Sequence, residues 1–210
     1  MPDGYRLVKT HRGWLGQITV APEQSPQQAV QDLGVTGYAF HSSDNKYIVQ
    51  FRRDGFSCSR LAPYTAWEDV SEKTVGFWKL YLETAEPIEV TRLAVRTINR
   101  IALLEGVFEL RSYLTAPPAI PAGLPNRLLS FLSHNMVQDE ETGIVANVIQ
   151  TIEAPDAGGK RAIILDSDVF LERKFEPADK RLLENFDSLR GLKNLIFFNS
   201  LTPETIDRYK

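Results

Sequence analysis

Residues 46–85 read KYIVQFRRDGFSCSRLAPYTAWEDVSEKTVGFWKLYLETA, and within this stretch the hydrophobic period changes from two to about 3.6. KYIVQFRR and FSCSRL alternate apolar and polar residues on either side of Asp54-Gly55. An Asp-Gly pair between alternating runs supplies the positive φ of a tight turn, so the two runs predict an antiparallel hairpin. Beyond Pro63, the residues Trp67, Val70, Thr74, Phe77, Trp78 and Tyr81 recur at helical spacing. That spacing predicts a helix over residues 66–84 that lays an aromatic stripe on a sheet. Thr65-Ala66-Trp67-Glu68 has the form of a capping box. Pro63, Tyr64, Thr65, Trp67 and Glu68 therefore read as a structural corner. Pro63 ends the strand, Tyr64 and Trp67 bury, and Thr65 and Glu68 cap the helix. Cys58 shares a strand face with Phe56 and Arg60, the setting of a small buried hydrophobe rather than a nucleophile.

Upstream, GYAFHS forms another strand, set off by the turn chemistry of Ser43-Asp44-Asn45. Residues 5–20 form a strand broken near Gly13. APEQSPQQAVQDLG, with two prolines, reads as a loop containing a short helix that stops at Gly34. Downstream, VTRLAVRTINRIALL is a long strand candidate over residues 90–104, followed by a helical turn around residues 108–114. The prolines of APPAIPAGLP make that run irregular. RLLSFLSHNMV, GIVANVIQTIE and KRAIILDSDVF are three further strands. Pro177 opens the last long helix, which is lined by Leu182, Phe186, Leu189 and Ile196 and has Gly191 as a weak point. Thr202-Pro203-Glu204 starts a short terminal helix.

The order of elements is strand, short helix, three strands, long helix, and then the same again. It predicts an α+β fold: a curved antiparallel sheet holding two long helices, with a tandem β-α-βββ-α duplication. The outline is that of TATA-binding-protein-like and helix-grip architectures, a comparison of shape that carries no function. One domain over residues 1–210 is expected, made of two pseudo-repeat halves at about 5–84 and 90–200.

Composition restricts the function classes. The 210 residues include 24 Lys and Arg against 27 Asp and Glu, a net charge of -3 that argues against a general nucleic-acid binder. A single cysteine and three histidines argue against disulfides and a Cys/His zinc site. MPDGYRLVKTHRGW has no apolar signal-peptide core, and no window reaches 18 apolar residues. A cytoplasmic location without membrane contact is the expectation. There is no G-x-G-x-x-G, no G-K-[ST] phosphate loop and no G-x-S-x-G elbow, so no cofactor is expected.

Two polar clusters stand out. In Thr91-Arg92-Leu93-Ala94-Val95-Arg96-Thr97-Ile98-Asn99-Arg100, strand alternation puts Arg92, Arg96 and Arg100 on one face, while Asn99 points the other way. Arg92, Arg96, Asn99 and Arg100 are the candidate anion- or partner-binding residues. Cross-strand ion pairing on a solvated face is the plainer reading of the arginines. Bidentate capture of phosphate or carboxylate and a charged protein interface are the others. Asp166 and Asp168 share a strand face as well, and close carboxylates can hold Mg²⁺ or share a proton. As a metal site this is a weak signal, because no third acidic ligand is in view.

F-S-x-S-x-L-x-P-Y-x-x-W-E, residues 56–68, and T-R-L-x-x-R-x-I-N-R, residues 91–100, together resemble a family of uncharacterised proteins scattered among bacteria and archaea. Ala94 and Thr97 stand where that family often has Gly and Tyr. The D-x-D of Asp166 and Asp168 and the terminal F-x-x-x-L-T of residues 197–202 also match. The resemblance implies no activity. Its patchy distribution is that of defence, toxin–antitoxin or immunity genes. A non-catalytic partner-binding module, contacting another protein, is accordingly the first functional expectation. A small-ligand or anion-binding enzyme using the arginines with Asp166 or Asp168 is the second, and nucleic-acid binding the third.

Overall fold

The computed structural model describes residues 3–20, 27–104, 109–125 and 128–209. The chain forms two compact units, Met1–Ile88 and Glu89–Lys210. In the first, β1 (Tyr5–Thr19), β2 (Gln27–Ser42), β3 (Tyr47–Arg52) and β4 (Gly55–Arg60) make an antiparallel sheet in chain order, followed by α1 (Trp67–Ala85).

The aromatic stripe of α1 covers one sheet face, as its spacing predicts. Phe77 meets Tyr5 edge-on at 4.9 Å between ring centroids, Trp78 meets Phe56 at 5.7 Å, and Tyr81 meets Phe51 at 5.7 Å. Tyr81 is buried, and its hydroxyl donates to the Arg52 carbonyl at 2.8 Å. The buried tyrosine thus keeps its polar tip satisfied while the ring joins the core.

Three local expectations are corrected in this unit. The hairpin turn is Arg53-Asp54, because Gly55 already pairs with Arg52. Among the described non-glycine residues only Asn45 and Glu86 have positive φ, so this is not the turn that Asp-Gly predicts. The Arg52 guanidinium instead grips the Asp54 carboxylate through two 2.8 Å bonds. Helix α1 starts one residue late: Ala66 is the N-cap, and the Thr65 hydroxyl donates to Asp69 Oδ2 at 2.8 Å rather than capping the backbone. Glu68 and Asp69 still favour the positive end of the helix. Tyr64 is exposed rather than buried.

The largest difference is β2. The segment read as a loop with a short helix is a strand from Gln27 onward, while residues 21–26 lie outside the described residues. Gly34 has a φ of 71°, which suits a helix end or a β-bulge equally. Here it makes the bulge: Gly13 pairs with Gly34 and Trp14 with Asp32, leaving Leu33 unmatched. Asp32 Oδ1 accepts the Gly34 N–H at 2.8 Å, and Arg12 binds Asp32 Oδ2 at 2.6 Å.

The second unit holds β5 (Val90–Ala102), β6 (Leu132–Gln138), β7 (Val145–Ile152) and β8 (Ala162–Phe175) in the order β5-β8-β7-β6, all antiparallel. α2 (Arg181–Ser200) packs on β8 and β5, and α3 (Pro203–Asp207) follows. α2 begins after Lys180, not at Pro177, because a turn held by Asp179 precedes it. The Asp179 carboxylate accepts the Arg181 N–H at 2.9 Å. Gly191 does not interrupt the helix. The helical turn expected near residue 110 is a 3₁₀ turn, Leu110–Ser112, and Phe108 lies outside the described residues. The start of α3 ties the end of the chain back to this turn. The Thr202 hydroxyl donates to the Ser112 carbonyl at 2.9 Å, and Leu114 bridges to Leu201.

The protein is therefore α+β, with two open antiparallel sheets that each carry a long helix. Leu189 of α2 is fully buried and Leu195 is exposed. Leu189→Ala should cost about 2–5 kcal/mol in urea unfolding, and Leu195→Ala less than about 0.5 kcal/mol. Equal costs would show that α2 packs through a different face.

Candidate functional site

Register in the second sheet decides where its polar side chains go. Facing pairs across β5 and β8 are Arg96 with Asp168, Ile98 with Asp166 and Arg100 with Ile164. Across β8 and β7, Asp168 faces Asn147 and Asp166 faces Ile149. β6 adds Met136 opposite Asn147 and His134 opposite Ile149. Leu93, Val95, Ile101, Leu165 and Val169 alternate onto the opposite, buried face. The three arginines and two aspartates thus lie together on one surface, and Asn99 is on the other, where its Nδ2 donates to the Leu165 carbonyl at 3.4 Å.

The arginines are held by carboxylates, mostly on the diagonal. Arg96 donates from Nε and Nη2 to both oxygens of Asp166, at 2.8 and 2.5 Å. Arg92 Nη2 donates to Asp168 Oδ2 at 2.8 Å, and its Nε lies 3.9 Å from Glu172 Oε1. Arg100 Nε donates to Glu153 Oε2 at 2.6 Å. The Arg92 guanidinium also sits over the Phe170 ring, 4.3 Å from its centroid. The bidentate Asp166 bond holds the Arg96 pKa above its ordinary value, so this cation stays charged. Each cation of the stripe therefore has an anion of its own. The surface is a near-neutral ion-pair lattice whose arginine side chains remain about half exposed.

Asp166 and Asp168 are adjacent on β8, but each is engaged by an arginine. Among the described residues no group of three His, Cys, Asp or Glu side chains is placed to hold a metal ion. Cys58 faces α1, and burial pushes its thiol above the ordinary range despite the nearby Thr74 hydroxyl and Lys73 ammonium. In the first unit an open depression of about 350 Å³ is lined by His11, Arg12, Gly13, Thr36, Arg52, Arg53 and Asp54. Two of its three arginines are already paired, Arg12 with Asp32 and Arg52 with Asp54.

Two features escape sequence reading. On the buried face Ser167 is 1% exposed, and its hydroxyl has no hydrogen-bond partner among the described residues. Lys193 of α2 is half-buried and its pKa is lowered, first by burial and then by Arg190. Its position four residues after Leu189 and three before Ile196 places it inside the apolar stripe of the helix. That break in the pattern is a signal the sequence does carry. Nothing in the sequence marks Ser167, which is just the alternate of two aspartates.

Residues and register together define an α+β protein with open sheets and an ion-paired outer surface. Compared with known protein families, with curated proteins and with solved structures, the chain shows no significant match.

Ser167→Ala should raise stability by about 1 kcal/mol, since it removes an unpaired buried hydroxyl. A loss of that size in urea unfolding would mean that the hydroxyl is engaged in solution. Cys58 should react with an alkylating reagent at pH 8 far more slowly in the native protein than in denaturant. Equal rates would return it to the list of candidate nucleophiles.

Proposed function

We propose that this chain is a non-catalytic partner-binding protein, of the immunity or antitoxin type that its sequence resemblance suggests, and that the end of the first sheet is its binding element. Beyond Gly13 and Gly34, β1 and β2 pair only with each other, and every described residue from Trp14 to Leu33 is exposed. Facing pairs put Trp14, Ile18 and Val30 on one side of this ribbon, with Gln28 and Asp32, and Leu15, Gln17, Thr19, Gln27, Ala29 and Gln31 on the other. One observation carries the reading: Trp14, Ile18 and Val30 are 61%, 66% and 66% exposed in a single row. A two-stranded ribbon is marginal alone in water, and exposed apolar side chains that include a tryptophan, flanked by Gln28 and Asp32, have the composition of a binding hot spot with a polar rim.

The arginine stripe supports the same reading. Its carboxylates already supply the charge that an anionic ligand would bring, which weakens the small-anion alternative and favours a role in solubility or at the edge of an interface. Rows of fixed, paired charges beside Ile98 and Met136 suit recognition of a second protein better than capture of a phosphate.

The test is a photo-activatable side chain placed at Trp14 or Ile18, with Gln17 and Thr19 as controls on the opposite side of the same ribbon. Expressed in the native host, the Trp14 and Ile18 proteins should each give one discrete protein adduct that the controls lack. Trp14→Asp should abolish the Ile18 adduct while changing stability by less than about 0.5 kcal/mol. Equal labelling from both sides would remove the ribbon as the binding element. Stabilisation by nucleotides or inorganic phosphate that is lost in Arg96→Ala would replace this reading with the anion-binding one.

A further inference from the structure

His11, Gly37 and Arg52 face one another across β1, β2 and β3. The Arg52 stem lies against Gly37, where a Cβ would stand 2.8 Å from Arg52 Cγ and 2.7 Å from the Phe51 carbonyl oxygen. Only glycine leaves room for that approach. It brings Arg52 into one depression of about 350 Å³ with His11 and Arg12 of β1, Thr36 of β2 and the turn residues Arg53 and Asp54.

The charges around this depression do not cancel. Arg52 holds both oxygens of Asp54, the one carboxylate in the lining, and that bond keeps the Asp54 pKa below its ordinary value. Arg12 is paired with Asp32, which lies outside the lining. Arg53 has no carboxylate partner among the described residues. One cation is thus left over, whereas every arginine of the stripe in the second unit has its own anion. His11 adds a further polar group to the lining, and its buried Nε2 has no hydrogen-bond partner among the described residues. A buried polar atom without a partner marks a place where a bound group can complete the hydrogen bonding.

We infer that this depression binds a phosphate group, free or at the end of a small ester, with Arg53 as the principal cation and Arg12 and Arg52 as shared donors. The two existing pairs do not close the site. Their arginine side chains are 51% and 47% exposed. Pairs so exposed are weakly held, and a guanidinium has more N–H donors than one carboxylate uses. The donors also come from different elements: Arg12 from β1, Thr36 from β2, Arg52 from β3 and Arg53 from its turn. That spread suits the tetrahedral oxygens of a phosphate better than the single plane of a carboxylate. The volume is at the small end of sites for small molecules, roughly 300–1,000 Å³. The inference does not rest on the ribbon reading, since none of these residues belongs to the ribbon beyond Gly13 and Gly34.

Inorganic phosphate should bind the full chain in calorimetric titration at a constant ionic strength of about 0.15 M. Acetate should bind at least about ten-fold more weakly under the same conditions. Arg53→Ala should weaken phosphate binding by about ten-fold or more, with unchanged circular dichroism, because this side chain has no ion pair to lose. Arg96→Ala, in the other unit, should leave phosphate binding unchanged. In the NMR spectrum phosphate should move the His11 ring signal and leave that of His134 in place, which locates the site in the unmodified chain. Glycerol phosphate titrated in parallel separates the two sources: tighter binding than inorganic phosphate assigns the ester, and equal or weaker binding the free ion. No binding of either phosphate overturns the inference. So does acetate bound as tightly as phosphate, an unmoved His11 signal, or full binding by Arg53→Ala. Loss of phosphate binding in Arg96→Ala also overturns it, and moves the anion site to the arginine stripe.

Discussion

A single helix can cover only one face of a four-stranded sheet, and the placement of nearly every polar group in this protein follows from that. In the second unit β8 lies inside the sheet, beneath α2. Leu165, Val169 and Leu171 fill the covered face, so Asp166 and Asp168 must project from the other. The neighbouring strand β5 obeys the same alternation and delivers its arginines to the same side. A carboxylate beside a guanidinium on a partly solvated sheet is a modest energetic gain at each site. Its stronger effect is on character, because paired cations and anions leave no net field to draw in a charged ligand.

The first unit meets the same constraint with aromatic rings. Phe51, Phe56, Trp78 and Tyr81 pack as one cluster, Phe51 edge-on to Tyr81, Phe56 tilted against Phe51 and Trp78, and Trp78 stacked on Tyr81, which lets one helix secure β3 and β4. Beyond these strands the helix meets the start of β1, where Phe77 packs edge-on against Tyr5. Where β1 and β2 run on past their bulge, no described residue of the unit covers them, and their apolar side chains are exposed.

Much of the fold is legible in the residues because periodicity is a local property. The helical spacing from Trp67 to Tyr81 and the alternation in residues 90–102 both describe the elements that form. Legibility fails where one local signal serves two structures. Gly34 marks a chain reversal of backbone torsion, and QQAVQDL is equally compatible with a short helix and a ribbon strand. Pairing with residues 14–19 of β1, a non-local interaction, makes the choice. The capping box slips by one residue, and Tyr64 stays exposed, because local spacing does not measure what packs against a corner.

By itself, then, the chain specified most of its antiparallel strands, its two long helices and the faces on which the arginines and aspartates would lie, since each depends only on a side chain's own repeat along the backbone. The tertiary structure alone decided which strand became the neighbour of β5, and hence that Asp166 and Asp168 neutralise Arg96 and Arg92 across some seventy residues of sequence. It also decided which apolar rows would be left uncovered. Strand order and register are set by pairing between distant segments, and no local pattern encodes a partner that the chain meets only once it has folded.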